Sequence, residues 1–377
     1  MMEKLLIEQG HDVAVFASRY TLNLHSEWAD YFPSEIDFSA PGLKNKLRAV
    51  TRLFYSREVK RRFSRLLDDF KPDIVHVHNI HSYLSPYVVK IAASRGIKVI
   101  WTLHDYKLIC PSYSCLRDGK PCEACFSRKW NVVRHTCMKS DMKASVLAYL
   151  EARVWNRKVL EKYTHTFISP SRFLQSKMVS AGFLSSKIEV LHNFFPDTLP
   201  VAADTDKSDY YCYVGRLSSE KGIDLLLEVA EKLPYPLKVI GSGERLEEYK
   251  ARYEGKPMVF LGQQSHEATL EIVRKARFSV LPSICYENNP LSIIESLCMG
   301  TPVLGADTGG IPELITEGIN GFLFQPGNRE MLEKQIGHCY RTFSGAFNFQ
   351  RISDTARQAF SSRCYYDQLM RIYEINQ

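Results

Sequence analysis

Short strand-like runs alternate with helical segments along this chain, and the alternation limits the fold more than any other feature. The runs are rich in apolar, β-branched and aromatic residues, and helical patterns separate most of them. They lie at residues 12–17, 74–78, 98–103, 166–169 and 188–191, and then at 211–214, 237–240, 259–261, 278–281, 302–306 and 321–324. This is the βαβ pattern of a parallel sheet, so the sequence predicts an α/β fold.

One interruption divides this pattern into two domains. Residues 196–208 are rich in Pro, Ala, Asp, Thr and Lys without apolar periodicity, which is typical of a linker. A chain of 377 residues also exceeds what one hydrophobic core usually supports. We therefore expect two Rossmann-like parallel-sheet domains, residues 1–196 and 208–358, that face each other across a cleft. Residues 359–377 predict an amphipathic helix that covers another surface, because Tyr366, Leu369, Met370 and Tyr373 recur at helical spacing.

The N-terminal residues lack the expected opening of such a domain. Residues 1–9 resemble the end of an amphipathic helix that Gly10 closes before the run at 12–17. A Rossmann-like domain opens with a strand and a glycine-rich turn, which brings the first helix to the ligand. We therefore expect the first strand and its loop to be absent from this chain.

The net charge of +7 is concentrated in one basic run, residues 43–67. A solvated helix face and a contact with an anionic membrane surface both fit such a run. Nucleic acid is not expected as a partner, because no aromatic-rich basic module accompanies the run. The chain has no apolar stretch of about 18 residues and no signal peptide before the first run, so we expect a cytoplasmic protein, at most peripheral at the inner face of the membrane.

Two segments of the second domain carry residues suited to a diphosphate and a sugar. In residues 213–222, Gly215 allows a tight turn, and Arg216 and Lys221 could reach a diphosphate from separate directions. Cations beside glycine are also common on ordinary surfaces. In residues 286–295, Glu287 and Glu295 are separated by seven residues.

A helix that begins near Pro290 would direct free amides toward the cleft. Pro290 is suited to its first turn, with Glu287 before that turn and Glu295 about two turns along. Such amides bind phosphate oxygens, and carboxylates accept hydrogen bonds from sugar hydroxyls. The alternative is that Glu287 and Asn288 only cap a helix whose Glu295 is solvated.

A third segment, residues 299–313, follows with a buried strand that leads into Gly309 and Gly310. Paired glycines let the backbone approach a ligand closely. The ordered set of Gly215-Arg216 with Glu220-Lys221-Gly222, the E-x7-E motif, and Gly309-Gly310-Ile311-Pro312-Glu313 resembles the retaining glycosyltransferases of family 4.

The resemblance implies a two-domain GT-B fold whose C-terminal helix crosses back to the first domain. It implies that Arg216 and Lys221 bind the donor diphosphate, that Glu295 binds the ribose hydroxyls, and that Glu287 faces the transferred sugar. It also places Gly215, Asn288, Pro290 and Leu291 in the donor site. No metal or other cofactor is expected for catalysis, since these cations offer another source of charge neutralisation.

His104 is the second catalytic candidate, because it follows the run at 98–103, where ligands of parallel sheets bind. It matches a family position that points toward the sugar. A lone histidine is more often structural, and His76, His78 and His81 are competing candidates.

Ten cysteines are present, and five of them fall in a segment at 110–137 that we interpret as an insert. One C-x2-C pair, Cys122 and Cys125, is flanked by further thiols. Cys110, Cys122, Cys125 and Cys137 are therefore candidate ligands for a structural zinc or an iron–sulfur centre, with Cys115 spare. Reduced unliganded thiols and disulfides are the alternatives.

Taken with the resemblance, these residues favour a retaining transfer of a hexose-like sugar from a nucleotide diphosphate sugar to a glycan or lipid-linked acceptor. The alternative is a non-catalytic nucleotide-sugar or glycan-binding protein, because an absent first loop would remove residues near both substrates.

Overall fold

The computed structural model describes residues 1–36, 42–196 and 207–374. Its strands are β1 (Ile74–His78), β2 (Lys98–Thr102), β3 (Leu116–Arg117), β4 (Lys120–Pro121), β5 (Thr166–Ser169), β6 (Ile188–Val190), β7 (Tyr211–Val214), β8 (Leu237–Ile240), β9 (Met258–Gly262), β10 (Ser279–Leu281), β11 (Val303–Ala306) and β12 (Gly321–Phe324). Its helices are α1 (Met2–Glu8), α2 (Leu43–Phe54), α3 (Arg57–Phe70), α4 (Tyr87–Ala93), α5 (Ala124–Ser127), α6 (Asn131–Arg134), α7 (Met142–Val154), α8 (Arg157–Tyr163), α9 (Arg172–Ser180), α10 (Ile223–Ala230), α11 (Leu246–Arg252), α12 (His266–Lys275), α13 (Leu291–Cys298), α14 (Arg329–Ala346), α15 (Phe349–Ala359) and α16 (Ser362–Glu374). Short 3-10 helices lie at Ala29–Tyr31, Ser185–Lys187, Ser219–Lys221 and Ile311–Glu313.

Two parallel sheets form the two domains, which confirms the predicted α/β fold with two Rossmann-like domains. The first sheet has the order β1-β2-β5-β6, and the second has the order β12-β11-β10-β7-β8-β9. Helices cover both faces of a parallel sheet, so its central strands are apolar on both sides. In β2, for example, Val99, Ile100 and Trp101 are all buried. A two-stranded antiparallel hairpin, β3-β4, lies in the cysteine-bearing insert.

Residues 12–17 form no strand, so the strand predicted there is wrong. A strand needs a hydrogen-bonded neighbour, and here a cavity of about 1090 Å³ lies between this segment and β1. Val13 and Val15 line the cavity on one side, and Val75 and Val77 of β1 line it on the other. The apolar residues of this run therefore line a cavity. The absence of a preceding strand stays a prediction.

The C-terminal helix α16 packs on the first domain together with α1. Tyr365, Leu369 and Ile372 share a buried cluster with Leu5, Leu6, Ile100, Ile168, Leu191 and Phe194. The Lys98 ammonium donates to the Tyr373 carbonyl at 2.5 Å, and the Tyr366 hydroxyl lies 2.8 Å from His11 Nε2. These contacts join the end of the chain to the first sheet.

The basic run forms α2 and α3, and several of its cations are paired inside the protein. The Glu58 carboxylate lies within salt-bridge distance of Arg48, Arg52 and Arg62, at 3.0, 3.4 and 3.4 Å. Although burial opposes it, hydrogen bonds from Ser34 and Arg48 lower the pKa of Glu58 to about 2. Only part of the run's charge is thus available to a partner.

The predicted linker, residues 196–208, falls mostly on residues 197–206, which lie outside the described ranges. Among the helices of the described ranges, none combines the length and apolarity needed to cross a bilayer.

Candidate active site

The turn after β7 places Arg216, the first of the two predicted diphosphate-binding cations, at the carboxyl ends of the strands of the second sheet. The Gly215 amide donates to the Ile240 carbonyl at 3.1 Å, and the Tyr213 hydroxyl donates to the Arg216 carbonyl at 2.6 Å. The Arg216 side chain is 73% exposed and lies 3.7 Å from Glu220. Its guanidinium is therefore available to an anion that enters the cleft.

Lys221 and Glu287, two residues far apart in sequence, meet in a short ion pair. The Lys221 ammonium donates to Glu287 Oε1 at 2.7 Å, and the Ser283 hydroxyl donates to the same oxygen. The side chains of Lys221 and Glu287 are only 21% and 10% exposed. The structure thus brings Lys221, the residue predicted to bind the diphosphate, into contact with Glu287, the residue predicted to face the transferred sugar.

Gly222 makes this contact possible. It has a φ of +72°, and a Cβ at this position would lie 1.9 Å from the Pro282 carbonyl oxygen. The 3-10 helix that carries Lys221 therefore sits directly against the loop that leads from β10 to Glu287. A side chain at position 222 would force the two apart.

Gly309 and Gly310 hold the other side of the Glu287 loop. The Gly310 amide donates to the Glu287 carbonyl at 2.7 Å. Added Cβ atoms at Gly309 and Gly310 would lie 2.1 Å from the Glu287 oxygen and 1.9 Å from the Asn288 oxygen. The glycine pair therefore lets the backbone approach the Glu287 loop, and its close approach to a ligand stays a prediction.

Helix α13 begins one residue later than predicted. Pro290 is its N-cap, whose carbonyl accepts the Ile293 amide at 3.1 Å, and Leu291 is the first helical residue. Glu295 consequently lies in the second turn, nearer to the N-terminus than the predicted two turns. Leu291 and His104 line the same cavity, so the start of α13 faces the first domain.

The Glu295 carboxylate is partly buried and has one local partner. Its Oε1 lies 2.9 Å from His266 Nε2, and its side chain is 20% exposed. Burial raises the pKa of Glu295, while His266 opposes the shift.

Asn288 and Asn289 join the domains, a role that the motif did not suggest. The Asn288 side-chain amide donates to the Leu103 carbonyl at 3.0 Å, and its oxygen accepts the Ser171 hydroxyl at 2.9 Å. The Asn289 side-chain oxygen accepts the Asn193 amide at 2.8 Å. Asn288 therefore fixes the backbone next to His104, and its assignment to the donor stays a prediction.

Glu313, at the end of the third motif, also reaches the first domain. Its carboxylate accepts the backbone amides of Arg172 and Phe173 at 2.8 and 2.6 Å. These amides belong to the first turn of α9, where a negative charge is favourable. The second and third motifs thus hold the domains together as well as shaping the cleft.

His104 lies at the carboxyl end of β2 and contacts His78, one of the alternative candidate histidines. Its Nε2 lies 2.8 Å from Nδ1 of His78, so one of these two nitrogens carries the shared proton. The ring of His76 stacks on that of His78, with ring centroids 4.3 Å apart. The two ring nitrogens of His76 lie 2.7 Å from the hydroxyls of Tyr373 and Thr102. His81 instead packs against Trp101.

Desolvation lowers the pKa of the imidazoles of His76, His78 and His104, to about 3 in His78. These rings are therefore neutral near pH 7. The Asn288 side chain donates a hydrogen bond to Leu103, which precedes His104, and Asn288 itself follows Glu287. The two catalytic candidates, His104 and Glu287, therefore lie on either side of this interdomain hydrogen bond.

The cysteines of the insert form no disulfide, and Cys110 is hydrogen-bonded to both Cys115 and Cys125. Hydrogen bonds from Cys115 and Cys125 lower the pKa of Cys110, and the same hydrogen bonds raise the pKa of Cys115 and Cys125. Within the described ranges, no group of three or more His, Cys, Asp or Glu side chains has an arrangement that could hold a metal ion. The structure does not assemble the predicted ligands Cys110, Cys122, Cys125 and Cys137 in that way, and a structural metal at the insert stays a prediction.

The insert nevertheless touches the active-site loop. The Tyr286 hydroxyl donates to Glu123 Oε1 at 2.9 Å, and the Lys177 ammonium contacts the same oxygen at 2.5 Å. Tyr286 directly precedes Glu287, so the insert supports the loop from the side of the first domain.

Family models match both halves of the chain. Residues 2–198 match the model described as Glycosyltransferase Family 4, and residues 198–340 match the model described as Glycosyl transferases group 1. The sulfoquinovosyl transferase SQD2 of Arabidopsis thaliana is 27% identical over 285 residues, which are 69% of this chain. The chain spans about half of that relative, 48% of its length. An uncharacterized 42.6 kDa protein in the cps region of Klebsiella pneumoniae is 25% identical over 343 residues, 83% of this chain and 81% of that protein.

Solved structures of similar fold cover nearly the whole chain. Sucrose-phosphate synthase from Thermosynechococcus elongatus superposes with a TM-score of 0.70 at 17% identity, over 99% of this chain and 90% of that one. Anabaena HepE in complex with UDP superposes with a TM-score of 0.64 at 18% identity, over 91% and 86% of the two chains. At these identities the likeness concerns the fold.

Proposed function

Since this chain belongs to glycosyltransferase family 4, we propose that it transfers a sugar from a nucleotide diphosphate sugar to an acceptor hydroxyl with retention of anomeric configuration. The observation that carries the proposal is the Lys221–Glu287 pair, a cation and a carboxylate held together at the start of α13. The loops around this pair are closely packed, because Gly222, Gly309 and Gly310 have no room for a side chain. Such a rigid, partly buried arrangement suits the stabilisation of a charged leaving group.

The donor is assigned by charge and position. Arg216 and Lys221 neutralise the diphosphate from two sides, and the free amides of α13 face its oxygens. Glu295 accepts the two ribose hydroxyls. Among proteins of this fold, HepE is in complex with UDP and with UDP-glucose, which supports a nucleotide-sugar donor here.

The reaction needs no protein nucleophile in this proposal. The acceptor hydroxyl attacks the anomeric carbon on the face that the diphosphate leaves, and the departing phosphate oxygen takes the hydroxyl proton. Because Lys221 and Ser283 both contact Oε1 of Glu287, we assign Oε2 to the transferred sugar. The neutral imidazole of His104 faces the same sugar and can donate or accept one hydrogen bond.

The first domain supports the proposed acceptor and the proposed location of the enzyme. We assign a glycan or lipid-linked acceptor to the side of the cleft that His104 lines, and we place the protein in the cytoplasm, peripheral to the inner face of the membrane. The exposed cations of residues 43–67 support an anionic surface as neighbour. No metal is assigned to catalysis, since Arg216 and Lys221 supply the positive charge.

Two substitutions test the proposal. Lys221→Met should weaken donor binding about 10- to 150-fold, because a charge-assisted hydrogen bond to phosphate is worth about 1.5–3 kcal/mol. Glu287→Gln should bind the donor and lose turnover. Lys250→Met is the matched control, because Lys250 forms a similar 2.8 Å ion pair with Glu247 at the exposed surface.

Binding is measured by calorimetry with UDP, GDP and ADP, and turnover by release of the nucleotide from its sugar. The anomeric configuration of the product, read by NMR, tests retention. Donor binding without turnover in the parent protein would favour the non-catalytic alternative. Unchanged turnover in Lys221→Met would overturn the assignment of the site.

A further inference from the structure

The central thiol of the cysteine-bearing insert, Cys110, contacts two other thiols. It is hydrogen-bonded to the thiols of Cys115 and Cys125, and its sulfur lies 3.2 Å from the Ser112 hydroxyl. The Cys115 backbone amide is also hydrogen-bonded to the Cys110 sulfur. Cys110 and Cys115 belong to one buried cluster of the first domain. Cys115 therefore contacts Cys110 through two groups, its thiol and its amide.

The turn that joins these two cysteines has an unusual backbone. Tyr113 and Cys115 have φ values of +59° and +48°. Side chains other than glycine rarely adopt this left-handed region, and such residues persist where the surrounding structure holds them. The Tyr113 amide donates to the Cys110 carbonyl at 2.7 Å and closes the turn. The fold thus holds the sulfur atoms of Cys110 and Cys115 together.

The backbone of Cys110 is linked to the backbone of Glu287. The Cys110 amide donates to the Tyr106 carbonyl at 2.7 Å, and the Tyr106 hydroxyl donates to the Glu287 carbonyl at 3.5 Å. Tyr106 is buried in the same cluster as Cys110. A displacement of Cys110 is therefore passed to the Glu287 loop through one buried aromatic side chain.

The backbone of Cys115 is linked to the residue before Glu287. The Cys115 carbonyl accepts the Cys122 amide at 2.7 Å, and Cys122 directly precedes Glu123. The Glu123 carboxylate accepts the Tyr286 hydroxyl at 2.9 Å. A displacement of Cys115 is therefore passed to the same loop from a second side.

We propose that Cys110 and Cys115 form a reversible disulfide in response to peroxide, and that this disulfide lowers sugar transfer. Hydrogen peroxide oxidises the Cys110 thiol to a sulfenic acid and releases one water. The Cys115 sulfur then attacks the sulfenic sulfur, and the hydroxyl leaves with the Cys115 proton as a second water. The two thiols together lose two electrons, which reduce the peroxide. A dithiol reductant restores both thiols by thiol–disulfide exchange.

Burial sets the order in which the two thiols react. Cys110 retains an exposed fraction of 5%, whereas Cys115 is fully buried. A peroxide molecule is small enough to meet Cys110 first. The adjoining Cys115 thiol then resolves the sulfenic acid before it is oxidised further, as in redox-sensing cysteine pairs.

Bond formation draws the two sulfur atoms from hydrogen-bond contact to covalent distance, and both supports of the Glu287 loop move with them. A displacement of about 1 Å at a positioned group can lower a rate about a hundredfold, so we expect oxidation to lower turnover at least about tenfold. The affinity for UDP should change little, because Arg216 and Glu295 belong to the second domain. The effect on turnover rests on the proposed function, while disulfide formation itself does not.

Peptide mapping of the full chain after treatment with hydrogen peroxide tests the proposal. Trypsin cleaves after Lys107 and Arg117, so the peptide 108–117 holds Cys110 and Cys115 and no other cysteine. We expect this peptide to become two hydrogen masses lighter, and turnover to fall with it. Dithiothreitol should restore both. Hydrogen exchange of residues 284–290 should rise in the oxidised protein, which detects the displaced loop without an assay of activity.

Two variants complete the test, each compared with its own untreated sample. Cys115→Ser should form no disulfide and show no loss of turnover that dithiothreitol reverses. Cys115→Ala serves the same purpose if the serine variant does not fold. Cys364→Ser is the matched control, because it removes a partly exposed thiol of α16 and should respond to peroxide as the parent does.

The outcomes separate this proposal from the proposed function. A peptide 108–117 that stays reduced, or one that becomes joined to the peptide of Cys125, would overturn the proposal. A reversible loss of turnover that persists in Cys115→Ser would also overturn it, as would one zinc per chain bound through Cys110. A disulfide that forms and loosens the loop, in a chain whose reduced form consumes no donor, would instead refute the proposed function and leave the redox site standing.

Discussion

Replacement of Glu295 by alanine is the sharpest perturbation of the proposed donor site. The carboxylate lies in the second turn of α13 and is assigned to two ribose hydroxyls, so the substitution removes both hydrogen bonds. The net loss is about 1–3 kcal/mol, because the hydroxyls are hydrated again in the free nucleotide. At about 1.4 kcal/mol for each factor of ten, nucleotide affinity should fall about 5- to 150-fold.

The fold should tolerate this substitution. The side chain touches His266, which is itself 52% exposed, and such surface pairs contribute at most about 1 kcal/mol. Burial also raises the pKa of Glu295, which shows that its ionised form is held at a cost in solvation. The unfolding temperature of Glu295→Ala should therefore stay near that of the parent while binding weakens.

Calorimetry with UDP, GDP and ADP provides the assay, and His266→Ala provides the control. That variant removes the partner of Glu295 and keeps the carboxylate, so it should bind the nucleotide nearly as well as the parent. Equal affinity in Glu295→Ala and the parent, with the preferred nucleotide, would refute the ribose assignment. Equal losses in both variants would show that the pair supports α13 and does not bind ribose.

Three further predictions follow from the described contacts. Because the pKa of Glu295 is raised, nucleotide affinity should be lost as the pH falls through that raised pKa, at a higher pH than for an ordinary glutamate. A nucleotide affinity that does not change with pH in the parent, or a pH dependence that persists in Glu295→Gln, would contradict this. His78→Phe should lower kcat with little change in donor affinity, since it removes the hydrogen bond to the ring of His104 and leaves the second domain untouched; an unchanged kcat would remove His78 as a positioning residue. Limited proteolysis should cut the first domain before about residue 197 and leave a fragment that holds residues 211–324, because the cavity beside residues 12–17 weakens the first domain. Equal resistance of both domains to the protease would count against this prediction.

The fold was predictable because parallel sheets bury both faces, so each strand appears as an apolar run regardless of its neighbours. The run at 12–17 misled for the same reason: its apolar character is local, whereas strand pairing depends on what lies beside the segment in space. The start of α13 was predicted within one residue, since proline marks the beginning of a helix through its own backbone.

Long-range contacts account for what the motifs did not reveal. The glycines at 309 and 310 indicated close approach, but only the fold identifies the Glu287 loop as the neighbour. Asn288 and Glu313 belong to motifs of the second domain, yet their partners Leu103, Arg172 and Phe173 come from the first. The contact between His78 and His104 likewise depends on the register of β1 with β2, which aligns the ends of these strands.

The central claim is that the chain uses a nucleotide diphosphate sugar, and its most direct test is turnover with a panel of such donors. Release of the nucleotide is measured for UDP-, GDP- and ADP-linked sugars in the presence of vesicles that carry extracted lipid-linked acceptors. The account predicts turnover of at least one donor by the parent and by Lys250→Met, and its loss in Lys221→Met and in Glu287→Gln. Turnover that survives in both site variants, or a parent protein that neither binds nor consumes any donor of the panel, would contradict it.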